Sequence, residues 1–323
     1  MIDILLVGDT SIDEFMLIDD ASVSCDVNHE HCKISFDYAD KIHVKEFKIS
    51  VAGNAPNVAI GCATLGMKPS VYTELGDDHN ATLALETMKE RGVATKYCIK
   101  NPGTPTNVHP IAVFQGERTI FSYHEKRDYK MGKWDTPKFL YYTSLSEGFE
   151  SFHDELHEYV KKEKDIIFVV NPGTMQMKTG INKLREMAAR IDVLFVNKQE
   201  AQGLVGEELE IIELHNKLSE MGIKLSVITD GINGASTFDG EKVKQNGVYK
   251  TGKKVSDKTG AGDAFAAGFI AAMHYGKGVE EAMKWGTINS SGVVTEIGAI
   301  EGLRTKEEVE KLLQEGTFTD PKL

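Results

Sequence analysis

The chain has 323 residues, of which 41% are hydrophobic and 27% are charged, so it can bury a full hydrophobic core. Its formal net charge is −12, and no block of Lys or Arg stands out against the 49 acidic residues. This balance argues against nucleic acid and against an anionic membrane as partners. An anionic ligand would therefore need backbone dipoles, a few basic side chains or a metal at its own site.

Apolar runs alternate with amphipathic stretches along most of the chain. The N-terminal sequence MIDILLVGD is typical of a buried strand and not of a signal peptide, and no apolar run approaches the ~18 residues of a membrane helix. Further strands are predicted at 69–76, 139–145, 165–171, 192–197 and 224–231. Helices are predicted at 54–66, 79–91, 150–163, 181–190 and 207–221. Strands this apolar are buried on both faces, and their alternation with helices predicts an α/β fold with a parallel sheet.

Two segments, 14–50 and 104–128, are rich in β-forming residues but do not alternate with helices. Within the second, TNVHPIAVFQGERTIFSYH predicts two strands around a Gln-Gly-Glu-Arg turn. We interpret both segments as a small β-sheet that forms a lid within one domain spanning 1–323. The apolar residues of the lid are expected to cover the closed site or to pair two lids across a homodimer: Val113, Phe114, Ile120 and Phe121.

Four cysteines are scattered over the chain, at Cys25, Cys32, Cys62 and Cys98. Without a signal peptide, their number and spacing predict a reduced, cytoplasmic protein. The first two lie with His29 and His31 in CDVNHEHC, a segment with potential zinc ligands. Because the spacing matches no common zinc motif, we interpret the segment as a solvated loop and keep a metal site as the alternative.

Several polar residues follow the predicted strands. In open parallel sheets, ligands bind beyond the carboxyl ends of the strands. The residues at such positions are Asp9, Asp13, Asn197, Thr229, Gly231 and the turn at 257–263. Single residues also have ordinary structural explanations: Asp13 in a loop, Asn197 as a helix cap and Gly231 in a turn.

The segment KTGAGDAFAAGF, at 258–269, carries the strongest signal for chemistry. Gly260 and Gly262 let the backbone approach a ligand without a Cβ atom, and free N–H groups at a helix start bind anions. The Walker pattern GxxxxGK[ST] is absent and no GxGxxG follows the first strand, which argues against a P-loop and against a nicotinamide-dependent oxidoreductase. A phosphoryl site with Asp263 as its base fits better than a helix cap alone.

Two longer motifs carry a family resemblance. VSDKTGAGDAFAAGF resembles the C-terminal signature of the ribokinase-like (PfkB-type) carbohydrate kinases, and AGNAPNVAIGCATLG, at 52–66, resembles their N-terminal signature. VNKQEA, at 196–201, is similar to the family's Asn-x-x-Glu magnesium motif, and GDTSID, LGDD, ERGV and TDGINGA also match, all in the family's order. The resemblance implies a ribokinase-like three-layer sandwich with a central, mostly parallel sheet and a small β-sheet lid.

The resemblance also implies the residues that transfer the phosphoryl group. Asp263 would be the catalytic base, and the anion hole would be formed by Gly260, Ala261 and Gly262. Asn197 and Glu200 would organise Mg²⁺ through water. A carboxylate at the metal and a second one at the hydroxyl agree with what phosphoryl transfer requires, which is positioning and charge stabilisation.

By the same resemblance, three further sets of residues would bind ligands. The nucleotide would contact Thr229, Gly231 and Asn289. The hydroxyl groups of the acceptor would hydrogen-bond to Asp13, Gly53, Asn54 and Asn57. A monovalent cation such as K⁺ would bind at Asp257 and Gly298, as it does in many members.

The chain departs from the family pattern at several positions. Ala52 and Pro56 replace smaller residues of the first signature, and this departure is expected to reduce the conformational freedom of the lid hinge. Ser144 and Ser146 stand where ribokinases tend to have a glutamate, and Thr106 stands where phosphosugar kinases often have a base. The basic residues of the lid would supply charge to an anionic acceptor or lie on a solvated face: Arg118, Lys126 and Arg127.

Together, the residues and the resemblance predict an ATP-dependent kinase that uses Mg²⁺ and phosphorylates a primary hydroxyl of a sugar, either a hexose or a pentose. A nucleoside kinase of the same family is one alternative. A non-catalytic protein that binds a sugar or a nucleotide on this fold is another. The presence of Asp263, Glu200 and the anion-hole residues favours an enzyme.

Overall fold

The computed structural model describes residues 2–26 and 32–322. Its strands in chain order are β1 (Ile4–Val7), β2 (Ser11–Ile18), β3 (Ser22–Cys25), β4 (Cys32–Ser35), β5 (Val44–Ala52), β6 (Pro69–Tyr72), β7 (Glu74–Leu75), β8 (Ile99–Lys100), β9 (Asn107–Phe114), β10 (Glu117–Ile120), β11 (Phe139–Tyr142), β12 (Ile167–Val170), β13 (Val193–Asn197), β14 (Leu225–Thr229), β15 (Ala235–Phe238) and β16 (Val243–Asn246). Its α-helices are α1 (Asn54–Thr64), α2 (His79–Glu90), α3 (Glu150–Lys162), α4 (Thr174–Thr179), α5 (Ile181–Met187), α6 (Lys198–Val205), α7 (Ile211–Glu220), α8 (Ala261–His274), α9 (Val279–Val293) and α10 (Lys306–Glu315).

The main sheet has eight strands in the order β16-β15-β14-β13-β12-β11-β1-β6. Strands β6, β1, β11, β12, β13 and β14 run parallel, as the apolar runs predict. Strands β15 and β16 add an antiparallel edge that the sequence analysis did not predict. Strand β15 is mostly buried but has the sequence Ala-Ser-Thr-Phe, and β16 is polar around Lys244. Neither strand therefore has the continuous apolar pattern of the parallel strands.

Helices cover both faces of this sheet and make the three layers. Along β1, Ile4 and Leu6 pack into a core with α1, α2, α8 and α9. Leu5 and Val7 point the other way, into a core with α3, α5, α6 and α7. Because successive side chains of a strand alternate between faces, a fully apolar strand is buried on both sides. The α/β sandwich expected from the sequence is confirmed.

A second sheet of four strands, in the order β10-β9-β2-β5, forms the small sheet that we call the lid. Strand β2 pairs parallel with β9 and antiparallel with β5, and β9 and β10 form a hairpin. Gln115 and Gly116 at the hairpin turn have φ angles of 53° and 85°, the left-handed backbone of a tight two-residue turn. Strand β2 follows the end of β1 after a short loop, so the lid begins at the edge of the main sheet where ligands are expected.

Two expectations for the lid need correction. Phe114 neither covers the site nor is available to a second copy of the chain, because it is buried with Ile18 and Ala112 against Ile34 and Ile42. Cys25 and Cys32 are not free thiols, since the antiparallel pairing of β3 and β4 places them opposite each other and they form a disulfide. His29 and His31, the other members of the potential zinc set, lie outside the described residues.

The elements around 198–221 also differ from the prediction. The helix expected at 207–221 begins only at Ile211, and the separate helix α6 precedes it. A capping box between Asn197 and Glu200 starts α6, and Gly206 ends it in the left-handed conformation. Helix α6 matters for function because its first turn faces the candidate site.

Candidate active site

The first turn of α8 lies where the carboxyl ends of the parallel strands meet. Gly260 precedes the helix with a φ of 71°, and a Cβ atom there would lie 2.6 Å from the Cβ of Ala299. Only glycine fits this position without strain. A Cβ atom on Gly262 would meet nothing within 4 Å, so this glycine faces open space. The turn therefore leaves free N–H groups beside an empty volume, the geometry that binds anions.

Asp263 is held by two amides from the start of α1. Asn54 Nδ2 donates to Asp263 Oδ1 at 2.8 Å, and Asn57 Nδ2 donates to Asp263 Oδ2 at 2.8 Å. Asn54 is fixed in turn by Ser144, whose Oγ donates to Asn54 Oδ1 at 2.6 Å. The family resemblance places both asparagines in the site with the acceptor's hydroxyls as their partners. In the structure their N–H groups orient the carboxylate.

The environment of Asp263 moves its pKa in both directions. Burial raises the pKa from 3.8 to about 6, and the negative charge of Glu200 adds to this increase. The hydrogen bonds from Asn57 and Asn54 act the other way, because they stabilise the charged form. A carboxylate with a pKa of about 6 is largely ionised at neutral pH and is a competent proton acceptor.

A cavity of about 190 Å³ opens in front of Asp263 and the first turn of α8. It is lined by polar groups of several elements, among them Asn54, Asn171, Asn197, Glu200, Thr229 and Lys258. This volume is smaller than the ~300–1,000 Å³ of typical ligand pockets, so it suits a phosphate group rather than a whole nucleotide. Lys258, inside the C-terminal signature, was not singled out from the sequence and adds one positive charge here.

Asn197 and Glu200 form the capping box of α6 at this cavity. Glu200 N donates to Asn197 Oδ1 at 2.8 Å, and Asn197 N donates to Glu200 Oε2 at 2.9 Å. Burial raises the pKa of Glu200, although its hydrogen bonds with Asn197 lower it. These oxygens are the ligand type that Mg²⁺ prefers. Within 2–26 and 32–322, no group of three or more His, Cys, Asp or Glu side chains could hold a metal by itself, so water or phosphate ligands would have to complete such a site.

The three residues predicted to contact the nucleotide lie in different surroundings. Thr229, at the end of β14, lines the cavity. Gly231 has a φ of 53°, and a Cβ atom on it would meet nothing within 4 Å, so it borders open space. Asn289 is fully buried within α9, where its Nδ2 donates to Ala264 O at 2.7 Å and its Oδ1 accepts from Arg304 N at 3.1 Å. Its amide therefore faces the protein interior.

Asp13 projects from β2 and pairs with His109, which in turn contacts His124. His109 Nδ1 lies 2.9 Å from Asp13 Oδ1, and His109 Nε2 lies 3.2 Å from His124 Nε2. Because a carboxylate only accepts hydrogen bonds, His109 carries its proton on Nδ1. The register of the lid places Asp13 opposite His109. That pairing, which needs the parallel contact of β2 and β9, had no signal in the sequence.

The next residues inward continue this polar network. His124 Nδ1 lies 3.2 Å from Ser146 Oγ, and Ser146 Oγ donates to Asp9 Oδ2. Tyr129 OH donates to Asp9 Oδ1 at 2.5 Å. Burial raises the pKa of Asp9 to about 6, against the opposing effect of these hydrogen bonds. Ser146, noted as a departure from ribokinases, thus joins the acceptor side of the site to a buried carboxyl group.

Gly53 shapes the backbone between the two sides of the site. Its φ is 107°, and a Cβ atom there would lie 2.4 Å from Asp9 O. Any other residue would be strained and would push the start of α1 away from β1. The acceptor oxygen of Asn57, Oδ1, is buried and has no hydrogen-bond partner within the described part of the chain. Buried amide oxygens usually have a partner, and this one belongs to a residue that also holds Asp263.

The basic side chains Arg118, Lys126 and Arg127 of the lid already have partners within the protein, so none of the three is left unpaired to bind an anionic acceptor. Arg127 is buried and donates to Thr104 Oγ1 and Pro105 O, at 2.7 and 2.6 Å. Lys126 is exposed and lies 3.4 Å from Glu147. Arg118 contacts the carboxylate of Asp257. Thr106, at the position where phosphosugar kinases often have a base, donates to Asp78 Oδ1 at 2.7 Å and so serves a loop.

Asp257, expected at a monovalent cation site, already has several partners. Thr259 donates to Asp257 Oδ1 from both N and Oγ1, and Gly298 N donates to Oδ2 at 3.2 Å. Burial raises the pKa of Asp257, but the bonds from Thr259 and the charge of Arg118 outweigh it and the net pKa is lowered. Lys48 Nζ donates to Ile297 O at 2.8 Å, next to Gly298. The residues therefore do not present an open oxygen cage for K⁺.

A larger cavity of about 370 Å³ lies elsewhere, where β13 and β14 begin, and is lined by His157, Lys161, Lys164 and Arg190. Arg190 has a structural role there, because its guanidinium group donates hydrogen bonds to the carbonyls of Val160, Glu163 and Ile166 at and after the end of α3. The smaller cavity differs, because there the carboxylate of Asp263 lies beside the free N–H groups at the start of α8. No helix among the described residues is long and apolar enough to cross a membrane.

Comparisons with known proteins agree with this geometry. The family model of the pfkB family carbohydrate kinases matches residues 13–306. The ATP-dependent 6-phosphofructokinase of Thermoanaerobacterium thermosaccharolyticum is 23% identical over 286 residues, which cover 83% of this chain and 86% of that protein. The nucleoside kinase of Methanocaldococcus jannaschii superimposes with a TM-score of 0.80 at 18% identity, over 97% of this chain and 99% of that one. The ribokinase of Arabidopsis thaliana, solved with ribose and ATP, gives a TM-score of 0.80 at 22% identity, over 97% and 99% of the two chains. The chain belongs to the pfkB family of carbohydrate kinases and is a kinase of sugar or nucleoside acceptors.

Proposed function

We propose that this protein transfers the γ-phosphoryl group of ATP to a primary hydroxyl of a sugar, a hexose or a pentose. The observation that carries the proposal is the position of Asp263. It is a buried carboxylate, held by two amides, in the first turn of a helix whose glycines open onto a phosphate-sized cavity. A helix cap needs neither the two amides nor the open cavity.

The donor side of the reaction is assigned to three groups of residues. The N–H groups of Gly260, Ala261 and Gly262 would stabilise the charge that develops on the transferred phosphoryl group. Thr229 and Gly231 would contact the nucleotide beyond the cavity. Support for ATP comes from the Arabidopsis ribokinase, which was solved with ATP on the same fold. Asn197 and Glu200 would hold Mg²⁺ through water, and the metal would neutralise phosphate charge.

On the acceptor side, the hydroxyl oxygen attacks the γ-phosphorus and forms the new O–P bond. The bond between the γ-phosphorus and the bridging oxygen of ADP breaks, and the hydroxyl proton passes to Asp263. Asp13 and the unpartnered Oδ1 of Asn57 would accept hydrogen bonds from other hydroxyls of the acceptor. A polyhydroxyl compound satisfies these acceptors, whereas an apolar alcohol leaves them unpaired.

A nucleoside is the second candidate acceptor, and the histidine pair of the lid favours it. The rings of His109 and His124 lie 4.9 Å apart and partly face solvent beside Asp13. Such rings can stack on a nucleobase, while Asp13 binds the ribose hydroxyls. Binding of a nucleoside would therefore use the two histidine rings, whereas binding of a sugar would not. His109→Ala and His124→Ala would weaken nucleoside binding more than sugar binding.

We also propose that the protein forms a homodimer through the lid. The register of the lid places Phe47 and Ile49 on its outer face, away from Asp13. Phe47, Ile49 and the nearby Phe121 are 54%, 47% and 51% exposed. An apolar patch of this kind on a sheet face favours a self-complementary contact with a second copy. Light scattering would give the molar mass, with Phe47→Asp expected to produce monomer. A monomeric parent protein would contradict this proposal.

The experiment that tests the function measures ADP release with panels of sugars and nucleosides in the presence of ATP and Mg²⁺. Asp263→Asn is the control, because it keeps the size of the side chain but cannot accept the proton. We expect turnover with at least one sugar and a loss of about 10²–10⁴-fold in the variant. Turnover with nucleosides alone would favour the second candidate. Ligand binding without turnover by the parent protein would favour the non-catalytic alternative.

A further inference from the structure

Two basic side chains of the lid reach the cation loop, by which we mean the segments around Asp257 and Gly298 that the family resemblance assigns to a monovalent cation. The two segments are joined by the hydrogen bond from Gly298 N to Asp257 Oδ2. Arg118 lies on β10 and Lys48 on β5, at opposite edges of the lid sheet. The strand registers place Phe15 opposite Lys48, and Leu17 opposite Val113, which in turn pairs with Arg118. Both bases therefore project from the face that carries Asp13, the face turned toward the site.

The partners of these two bases are the oxygens that a cation would use. Arg118 contacts the carboxylate of Asp257, and the Arg118 and Asp257 side chains are only 29% and 9% exposed. Lys48 Nζ donates to the carbonyl of Ile297 at 2.8 Å. A Cβ atom on Gly298 would lie 3.8 Å from the same Nζ, so the ammonium group sits against this loop. One carboxylate and one carbonyl of the loop are thus paired with positive charge from the lid.

An alkali cation at this loop would meet two obstacles. Hard cations need several oxygen ligands, and here Asp257 is already bound by Thr259, Gly298 and Arg118. A K⁺ ion bound to the same carboxylate would also lie beside a guanidinium group, and like charges at such a distance repel. The free carboxylate that would attract the ion becomes available only when Arg118 leaves.

We propose that Arg118 and Lys48 are the resident cations of this loop, so that this chain does not require a monovalent metal ion. Asp257 leads directly into the anion-binding turn, and its carboxylate fixes Thr259, the residue before Gly260. A positive charge on Asp257 therefore orders the turn, whether it comes from K⁺ or from Arg118. Because Arg118 belongs to the lid, the conformation of the anion-binding turn at Gly260 depends on the position of the lid.

Because the contacts of Arg118 and Lys48 lie within the protein, the test needs neither ATP nor an acceptor. Thermal unfolding is measured in KCl and in choline chloride of equal concentration, for the parent protein, Arg118→Met, Lys48→Met and the double variant. The parent protein should unfold at the same temperature in both salts. Arg118→Met leaves Asp257 partly buried without its counter-charge, so K⁺ should bind and raise its unfolding temperature by about 2–4 °C over choline.

Two control variants make the comparison specific. Lys45→Met removes a lid ammonium that pairs with Asp19 at the surface, and it should respond to K⁺ no more than the parent protein does. Adding Asp257→Asn to Arg118→Met should abolish the K⁺ response, because the carboxylate is the ligand. The double lid variant should show the largest response. A K⁺-specific stabilisation of the parent protein equal to that of Arg118→Met, or no K⁺ response in any lid variant, would overturn the proposal. A failure of the kinase assay would leave this result unaffected.

Discussion

Replacing the proposed base should make the folded protein more stable while it removes activity. Burial raises the pKa of Asp263 from 3.8 to about 6. A shift of this size corresponds to about 3 kcal/mol at neutral pH, since each pKa unit is about 1.4 kcal/mol. Asn at position 263 removes the buried charge, but it accepts only one of the two amide bonds from Asn54 and Asn57. That mismatch costs about 1–2 kcal/mol, so the net gain expected for Asp263→Asn is about 1–2 kcal/mol.

The pH dependence of this gain follows from the sign of the shift. A group whose pKa is raised in the folded state contributes most to the free energy of unfolding below its unfolded pKa. This contribution is lost as the pH rises through the folded pKa. For Asp263 the loss occurs between about pH 4 and pH 6–7, because the folded protein holds the proton there and the unfolded chain does not. The advantage of Asp263→Asn should therefore grow with pH across this range and become constant above it.

Thermal unfolding between pH 4 and pH 8 measures this difference. At pH 7.5 we expect the unfolding temperature of Asp263→Asn to exceed that of the parent protein by about 1.5–3 °C. The two values should cross near pH 5, and near pH 4 the variant should be the less stable protein, because the folded parent then holds the proton and only the lost amide bond remains. Asp20→Asn, which removes an exposed carboxylate of the lid, controls for the change in net charge. An equal or lower unfolding temperature for Asp263→Asn at pH 7.5 would mean that the carboxylate of Asp263 is not an unfavourable buried charge in the folded protein.

Three further predictions concern the surroundings of the base. Asn54→Ala removes one amide donor, so the acidic limb of the pH profile of kcat/KM should move upward by about one unit, and an unmoved limb would contradict the amide clamp. Glu200→Gln should raise the Mg²⁺ concentration needed for half-maximal activity more than it raises the KM of the acceptor, and an unchanged Mg²⁺ titration would exclude its role. Asp13→Ala should abolish the protection from hydrogen exchange that an acceptor gives to 14–50 and 104–128, and full protection in that variant would place the acceptor elsewhere.

The sequence could predict those parts of the molecule whose signals are local. The parallel strands can be predicted from their continuous apolar runs. The turn before Asp263 can be predicted from its two glycines, because Gly260 has a left-handed backbone and Gly262 borders open space. The lid hairpin follows from its Gln-Gly turn, which the structure places between β9 and β10. In each case a few neighbouring residues determine the conformation.

The remaining features depend on contacts between distant segments. His109 meets Asp13 only through the parallel pairing of β2 and β9, and Asn54 meets Asp263 only because α1 packs beside α8. The contact of Arg118 with Asp257 joins positions 139 residues apart. For Asn289, the position in the family motif predicts a contact with the nucleotide. In the structure its amide instead hydrogen-bonds to Ala264 and Arg304 in the protein interior. Residue type and spacing along the chain carry no information about such partners.

The most direct test of the central claim is ³¹P NMR of the products formed from ATP and the best acceptor. We expect a phosphomonoester on a primary hydroxyl of a sugar, formed in equal amount with ADP, by the parent protein and at least 10²-fold more slowly by Asp263→Asn. Release of inorganic phosphate without a phosphorylated acceptor would contradict the proposed transfer. Equal rates of phosphoester formation by the parent protein and by Asp263→Asn would contradict it as well.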